Sequence, residues 1–402
     1  MSEGDYYLVT GVDITNTHRI NFDDCYYVSK ERYEMDDKIQ LRVGDIIVTK
    51  DGTIGKIGII DKLDKPATLN SHLFLIRNEA PNVLDTDYLF QILRSDTFQK
   101  FATNNTSGSN IPAFTQANIS KFEIDLPPLQ EQKKRSAILR SIDEKIINNS
   151  KISAELEGLA KTIYDYWFLQ FEFPNEEGKP YKSSGGKMVY NEELKREIPE
   201  GWEVMSVKDI IKHINTGLNP RDNFVLNEGG DVRYITVKNL TIEGTIDFSG
   251  CDFITQDVKK LINKRSMIAK GDILFASIAP LGRCFLMLET PVDWEINESV
   301  FSIRPNIDLV SSVYLYMFFM SDWFIKKAEH SSTGSVFNGI RISVLEDTKI
   351  IVPPKNVMKD FTNRVSPALR KKYLSSKENE KLVSIRDWLL PMLMNGQITF
   401  KK

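Results

Sequence analysis

The sequence predicts an α+β protein with two similar globular domains of mixed strands and helices, separated by two long antiparallel helices that form a coiled coil. Three observations support this prediction. The chain contains a long internal repeat, each copy holds short β-branched segments bounded by glycine, asparagine or proline, and a long helical pattern follows each of two Pro-Pro pairs. With 402 residues, 41% of them hydrophobic, the chain is long enough for two domains that each bury a core.

The repeat covers nearly the whole chain. Cys25 and Cys251 occupy equivalent positions 226 residues apart, and the other matches fall 226 or 227 residues apart. The matching segments are INFDDCYYVS (20–29) with IDFSGCDFIT (246–255), GDIIVTKDGTIG (44–55) with GDILFASIAPLG (271–282), DYLFQILRSDTF (87–98) with VYLYMFFMSDWF (313–324), and FEIDLPPLQ (122–130) with TKIIVPPKN (348–356). A period of this length predicts two large domains rather than a solenoid of short repeats.

Within each copy the hydrophobic period changes along the chain. In the first copy, four short segments read as strands: IIVTK, IGIID, SHLFLIR and KFEIDLP. The segments YLFQILRSDTFQKFA and YLYMFFMSDWFIKKA carry helical spacing in the first and second copies. Each domain is therefore predicted to mix strands with helices.

A helical pattern of about 39 residues, roughly 58 Å long, follows the first Pro-Pro pair. Proline is tolerated in the first turn of a helix, so the pair is a suitable start. The hydrophobic seam of this helix alternates steps of three and four, with Lys145 and Asn149 as polar interruptions. In the second helix, Pro367 is predicted to kink or delay the helix. The predicted scaffold and partner-binding residues are Ile138, Ile142, Ile152, Leu156, Leu159, Ile163, Leu382, Ile385 and Leu389.

These patterns give five segments. They are a first domain (1–126), a first spacer helix (127–173), a connecting loop (174–197), a second domain (198–352) and a second spacer helix (353–402). The second domain has about 33 residues before Gly230-Asp231, which aligns with Gly4-Asp5. We therefore expect the N-terminal part of the first domain to be missing.

The composition restricts the class of protein. A net charge of −3 and a pI near 6.0 disfavour a protein that grips nucleic acid unaided over a long footprint. The sequence has no apolar run of membrane-spanning length and no signal-peptide pattern at its start, so we expect a cytoplasmic protein. Neither the three cysteines nor the four scattered histidines follow metal-site or catalytic spacing. We expect no catalytic residues and no metal site.

The glycine-rich turn at 44–55 lacks the phosphate-loop template, and its second copy loses the lysines and the middle glycine. What the copies share is therefore predicted to be structural, and side chains that differ on the exposed turn are candidates for recognition. TNNTSGSNIPAFT and HSSTGSVFNGIR join a helix to the next strand region. They are interpreted either as capping loops or as contacts to nucleic acid.

The order of these motifs, duplicated, resembles the DNA specificity subunit of type I restriction-modification systems. The resemblance is carried by GDIIVTKDGTIGKIGII, by TSGSNIPAFTQANISKFEIDLPPLQEQKKRSAILRSIDEKI, by IPEGWEVMSVKDI and by the terminal LVSIRDWLLPMLMNGQI. It implies a non-catalytic protein with two target recognition domains, each reading one half of a split double-stranded DNA sequence. It also implies that the paired helices set the gap between the halves.

The partners implied by the resemblance are two methyltransferase subunits and restriction-translocase subunits. No cofactor is expected in this chain, because S-adenosylmethionine and ATP belong to the partner subunits. The predicted DNA-binding residues are Lys50, Thr53, Lys56, Ser109, Asn110, Arg221, Lys238, Asn239, Ser277, Arg283, Asn338 and Arg341. Two alternatives stay open from the residues: a coiled-coil scaffold of another cytoplasmic complex without DNA reading, and an enzyme that binds nucleotides through the glycine turn.

Overall fold

The computed structural model describes residues 4–106, 113–278, 280–332 and 339–398. The chain divides into two compact units. Unit 1 consists of Met1–Asn149 together with Glu378–Lys402, and unit 2 is the intervening stretch Ser150–Lys377. Both long helices therefore contribute one part to each unit.

From the start of the described chain to the first long helix there are six strands and five α-helices, besides two short 3-10 helices. The strands are β1 (Tyr6–Val9), β2 (Tyr26–Val28), β3 (Ile46–Thr49), β4 (Ile57–Ile59), β5 (Ala67–Leu69) and β6 (Leu73–Ile76). The helices are α1 (Lys30–Glu34), α2 (Thr86–Arg94), α3 (Asp96–Asn104), α4 (Gln116–Ile119) and α5 (Leu129–Tyr164).

The remaining elements complete the described chain. The strands are β7 (Met188–Asn191), β8 (Arg196–Pro199), β9 (Glu203–Ser206), β10 (Ile211–Thr216), β11 (Val232–Ile235), β12 (Asp252–Ile254), β13 (Ile273–Ala276), β14 (Cys284–Leu286), β15 (Trp294–Ile296), β16 (Val300–Pro305) and β17 (Lys349–Val352). The helices are α6 (Val207–Ile210), α7 (Gln256–Ser266), α8 (Ser312–Phe319), α9 (Asp322–Ser332), α10 (Ile342–Glu346) and α11 (Lys355–Met394).

Unit 1 holds two three-stranded sheets. In the order β2-β1-β5, β1 is antiparallel to β2 and parallel to β5, whereas β4-β3-β6 is antiparallel throughout. The predicted strands IIVTK, IGIID and SHLFLIR are confirmed as β3, β4 and β6. The strand prediction for KFEIDLP is wrong, because residues 121–127 pair with no strand in the part of the chain that the structure describes.

Unit 2 repeats this plan and extends it. The sheet β12-β11-β15 corresponds to β2-β1-β5. The strands β16, β13 and β14 correspond to β6, β3 and β4, and β10 is an additional strand that pairs with β16. Its further pairs are β17 with β9 and β7 with β8, so the stretch 174–197, predicted to be only a connecting loop, contains β7. Among its described residues, unit 1 has no counterpart of β9 or β10.

The aspartate of each Gly-Asp motif forms the same buried ion pair in both units. Arg77 donates to both carboxylate oxygens of Asp45 at 2.8 and 2.7 Å, and Arg304 donates to Asp272 at 2.7 and 2.7 Å. The arginines also donate to equivalent backbone carbonyls, those of Gln40 and Met267. The shared residues of the glycine-rich turn are therefore structural, as the repeat predicts.

Two long helices are confirmed as α5 and α11, and their contacts are antiparallel within each unit. In unit 1, Leu139 packs with Leu390 and Leu393, and the Asn149 amide donates to Asn379 at 2.9 Å. In unit 2, the buried Lys372 donates to Glu157 at 2.8 Å, and further along α5 the Tyr164 ring lies 6.1 Å from that of Phe361, which comes earlier in α11. The coiled-coil geometry itself stays a prediction.

The predicted helix seam needs a correction. Ile152, Leu159 and Ile385 are 40%, 53% and 47% exposed, whereas Ile138, Ile142, Leu156, Ile163, Leu382 and Leu389 are half-buried. The buried positions of α5 are instead Gln132, Arg135, Ser136, Leu139, Asp143, Ile146, Asn149, Ala160 and Tyr164. The prediction followed the apolar residues and treated polar ones as interruptions, whereas Asp143 is buried because Arg94 and Arg386 neutralise its charge.

Pro367 neither delays nor interrupts α11, which begins at Lys355 and continues to Met394. A proline inside a helix leaves the carbonyl four residues earlier without its backbone donor. Here that residue is Asn363, which is exposed to solvent, as is Pro367. Water can therefore bond the carbonyl, which explains why the helix tolerates this proline.

Along the described residues, no helix has both the length and the apolar character needed to cross a membrane.

Candidate functional site

Three connections meet at one end of unit 1. Because β1 and β5 are parallel neighbours, the turns that follow them lie at the same edge, and the β3–β4 turn lies beside them. They surround a cavity of about 370 Å³. Its lining residues are Thr10, Gly11, Val12, Thr49, Asp51, Thr53, Lys56, Asn70, His72 and Leu73.

The turn after the first strand is built in the same way in both units. In unit 1, Asp13 accepts the Thr10 backbone N–H at 2.7 Å. In unit 2, Asn239 accepts the equivalent N–H of Thr236 at 2.9 Å and donates to the Asp247 carbonyl. Asn239 is only 3% exposed. The Asn239 amide thus forms its hydrogen bonds inside the domain, and the predicted contact of Asn239 with DNA stays a prediction.

A cation from the glycine-rich turn holds this first turn in both units. Lys56 Nζ donates to the Gly11 carbonyl at 3.4 Å, and Arg283 donates to the equivalent Val237 carbonyl at 2.6 Å. Arg283 also donates to the Pro280 and Ile278 carbonyls, and partial burial lowers the pKa of its guanidinium. The side chains of Lys56 and Arg283, both predicted to contact DNA, thus stabilise the first turn through hydrogen bonds to its backbone. These hydrogen bonds limit their freedom to reach a ligand.

Other predicted contacts differ in accessibility. Ser277 is buried, and its hydroxyl donates to the Ser299 carbonyl, which leaves this side chain little surface for a contact with DNA. Lys50 is half-buried, with Nζ 5.8 Å from the centre of the Phe74 ring, and Thr53 is exposed. Lys50 and Thr53 thus remain candidates in unit 1.

In unit 2, three predicted cations are exposed. Lys238 has a side chain 60% exposed and lies 3.8 Å from the Asp252 carboxylate. Arg221 lies on an exposed turn, and Arg341 is an exposed residue immediately before α10. Ser109, Asn110 and Asn338 lie outside the described residues.

Sequence reasoning missed two residues of the cavity, Asp51 and His72. His72 Nδ1 lies 2.7 Å from Asp51 Oδ2, and both side chains belong to unit 1 only, because Ile278 and Ser299 occupy the equivalent positions. The histidine was treated as one of four scattered residues. Its position in a turn that differs between the two copies was the signal that could have identified it.

The three cysteines are buried, as expected for small apolar side chains. Burial raises the pKa of the Cys25 thiol to about 12 and that of Cys251 to about 11. A thiol with a raised pKa is a poor nucleophile at neutral pH, so these side chains serve the core.

A family model described as "Type I restriction modification DNA specificity domain" matches residues 2–158 and 199–382. The MjaIX specificity subunit of Methanocaldococcus jannaschii is 27% identical, and the match covers 98% of this chain and 87% of that protein. The HindI specificity subunit of Haemophilus influenzae is 24% identical over 81% of this chain and 80% of its own length.

The fold is similar to the crystal structure of the S subunit of a type I restriction-modification system from M. genitalium. The TM-score is 0.57 at 17% identity, and the match covers 98% of this chain and 89% of that one. This likeness shows that the chain has the fold of that structure.

Proposed function

Because the chain belongs to the family of type I restriction-modification DNA specificity domains, we propose that it is the sequence-specific DNA-binding subunit of a type I restriction-modification complex. The observation that carries this conclusion is the double match of the family model, once to each copy of the repeat. A duplicated recognition domain suits a split target, since each copy can read one half. The alternative of a scaffold without DNA reading is not favoured.

The DNA-reading surface proposed for unit 1 is the edge at which its three turns meet. Its backbone is fixed by the Asp13 and Lys56 contacts, and Lys50 and Thr53 project from it. Side chains on such a rigid frame can contact base edges or phosphates with little loss of conformational entropy. In unit 2 the corresponding surface carries Lys238, which bears the charge needed for a phosphate or a guanine.

The long helices are proposed to set the gap between the two half-sites and to bind two methyltransferase subunits. Support comes from apolar side chains that the helices leave exposed. In unit 2 these include Ile152, Leu159 and Leu374, and in unit 1 they include Ile385 and Trp388, the latter 59% exposed. Ile385 and Trp388 lie three residues apart and therefore on the same helix face, and neighbouring exposed apolar side chains of this size suit contact with another protein.

This chain is proposed to catalyse no reaction and to bind no cofactor. The relatives are named specificity subunits, which fits a protein that selects DNA while methyltransferase and restriction subunits perform the chemistry. In this proposal, S-adenosylmethionine and ATP are bound by those partner subunits.

The test combines the purified chain with its cognate methyltransferase subunit and a randomised duplex library. We expect the complex to retain duplexes that share one split sequence with a gap of constant length. Methylation mapping of host DNA with and without the gene should show the same sequence. If the complex assembles but retains no sequence preferentially, the chain is a scaffold and the proposed function is wrong.

A further inference from the structure

A comparison of the two copies of the repeat distinguishes two kinds of residue at the edge where the three turns meet: those that build the turns and those that vary between the units. Positions with the same role in both units are structural: Asp13 matches Asn239, and Lys56 matches Arg283. Asn70 matches Asn297, because each accepts the backbone N–H two residues later. The equivalent positions that differ in chemistry include Val12 and Lys238, Lys50 and Ser277, Asp51 and Ile278, Thr53 and Pro280, Ser71 and Glu298, and His72 and Ser299.

Among the varying positions of unit 1, Asp51 and His72 form a defined polar pair. Nδ1 of His72 lies 2.7 Å from Asp51 Oδ2, and the side chains are 63% and 27% exposed, respectively. An ionised carboxylate can only accept a hydrogen bond, so Nδ1 carries the proton that is donated. The other ring nitrogen, Nε2, is then the atom that His72 presents to a ligand.

The backbone beneath this pair is held firmly. Lys50 N–H donates to the His72 carbonyl at 3.1 Å, and His72 N–H donates to the Asn70 side chain at 3.1 Å. The Lys50 carbonyl accepts the Phe114 N–H at 2.8 Å. The imidazole therefore projects from a fixed turn, with its ring orientation set by Asp51, at the wall of the 370 Å³ cavity.

We infer that His72, oriented by Asp51, is a base-selecting contact of unit 1. The inference rests on the proposed function and deepens it: His72 Nε2 contacts a base edge, while Asp51 is a positioning residue that fixes the tautomer and ring orientation. A polar contact to a base edge discriminates between base pairs, which a contact to phosphate does not.

Unit 2 carries a different chemistry at the same positions. Ile278 replaces Asp51 and is 42% exposed, and Ser299 replaces His72. An exposed aliphatic side chain suits contact with the methyl group of thymine rather than a hydrogen bond. The two units are thus expected to select different bases with the same backbone frame.

The experiment measures the sequence preference of the full chain assembled with its methyltransferase subunit, for the wild type and for His72→Ala, Asp51→Ala and Asp51→Asn. We expect His72→Ala to reduce discrimination at one base pair of one half-site by roughly tenfold or more, with the other half-site unchanged. Asp51→Ala should have the same effect at the same base pair. Asp51→Asn, which keeps an acceptor oxygen for Nδ1–H, should retain most of the discrimination.

The matched control is Lys62→Ala, at the opposite end of the β3–β4 hairpin, with a side chain 79% exposed. Assembly with the methyltransferase, measured by size-exclusion chromatography, shows that each variant is folded. If the wild type reads a split sequence and both alanine variants keep its preference at every position, the inference is overturned while the proposed function stands. If the wild type itself shows no preference, the proposed function fails and this inference fails with it.

Discussion

At the level of single residues, the repeated Gly-Asp motif is explained by burial. Asp45 and Asp272 are 2% and 0% exposed, and each receives two hydrogen bonds from one arginine. A buried carboxylate is tolerated only when its charge and its lone pairs are both satisfied. The arginine lies 32 residues further along the chain in each copy, so the pair joins the start of one strand to the end of another.

Replacement of Asp272 by Asn should destabilise the protein by about 3 kcal/mol, because it leaves the Arg304 guanidinium without its counter-charge. Urea unfolding monitored by circular dichroism measures this loss. The surface pair Lys187–Glu200 gives the control, since its side chains are 71% and 51% exposed and Lys187→Gln should cost less than about 1 kcal/mol. Equal effects of the two substitutions would contradict the structural role of Asp272.

Glu295 predicts a pH dependence. It is 1% exposed, and burial raises the pKa of its carboxyl group from 4.5 to about 7, opposed in part by a hydrogen bond from Ser266. Between pH 4.5 and 7 the folded state therefore binds more protons than the unfolded state, so the free energy of unfolding falls as pH rises through this window. The total loss is on the order of 3 kcal/mol.

The check is the pH profile of urea unfolding for the wild type and for Glu295→Gln, which stays neutral. In the wild type, Glu295 should make the free energy of unfolding decline between pH 5 and pH 7.5. The variant should not show this decline, and it should be more stable than the wild type near pH 8. Glu200→Gln, at an exposed carboxylate, should leave the profile unchanged. Identical wild-type and Glu295→Gln profiles would show that Glu295 is ionised in the folded protein.

At the level of elements, the long helices combine an inner apolar face with buried polar contacts. In unit 1, Leu139, Leu390 and Leu393 form the apolar contact, and Asp143 lies between Arg94 and Arg386. Buried polar pairs between helices restrict the register in which the helices pack, because a shift would leave a charge without its partner. The exposed residues of the predicted seam do not contribute to this packing.

Two leucine substitutions distinguish the inner face from the outer face. Leu393→Ala removes a side chain that is 1% exposed and should cost about 2–4 kcal/mol of stability, as measured by urea unfolding. Leu159→Ala, at a side chain 53% exposed, should cost less than about 1 kcal/mol but weaken binding of the methyltransferase subunit. Normal methyltransferase binding by Leu159→Ala would exclude this residue from the proposed partner surface.

At the level of the whole molecule, the net negative charge of the chain limits its affinity for DNA in the absence of partner subunits. The 52 lysines and arginines are outnumbered by 55 acidic residues, and two of the predicted DNA-binding cations, Lys56 and Arg283, are engaged within the protein. DNA binding gains affinity by releasing counterions from phosphates, and each neutralised phosphate adds about 0.9 to the slope of log affinity against log salt concentration. The methyltransferase subunits are therefore expected to supply much of this contribution.

Fluorescence anisotropy with a duplex that contains the recognised sequence tests this expectation. The chain alone should bind weakly, with a slope that corresponds to few phosphate contacts. Addition of the methyltransferase subunit should raise both the affinity and the slope. If the chain alone binds as tightly as the complex and with the same slope, the methyltransferase subunit does not supply the phosphate contacts and the expectation is wrong.

The sequence by itself determined the duplication, the two long helices and the family, because these depend on period and on the order of motifs. The tertiary structure alone decided which side chains are available. Asn239 and Ser277 are polar residues of the kind found on surfaces, yet they are buried. Lys56 and Arg283 donate hydrogen bonds to backbone carbonyls. Asp51 and His72 form a pair although 21 residues separate them. Availability depends on contacts between segments that are distant in sequence, and no local pattern encodes those contacts.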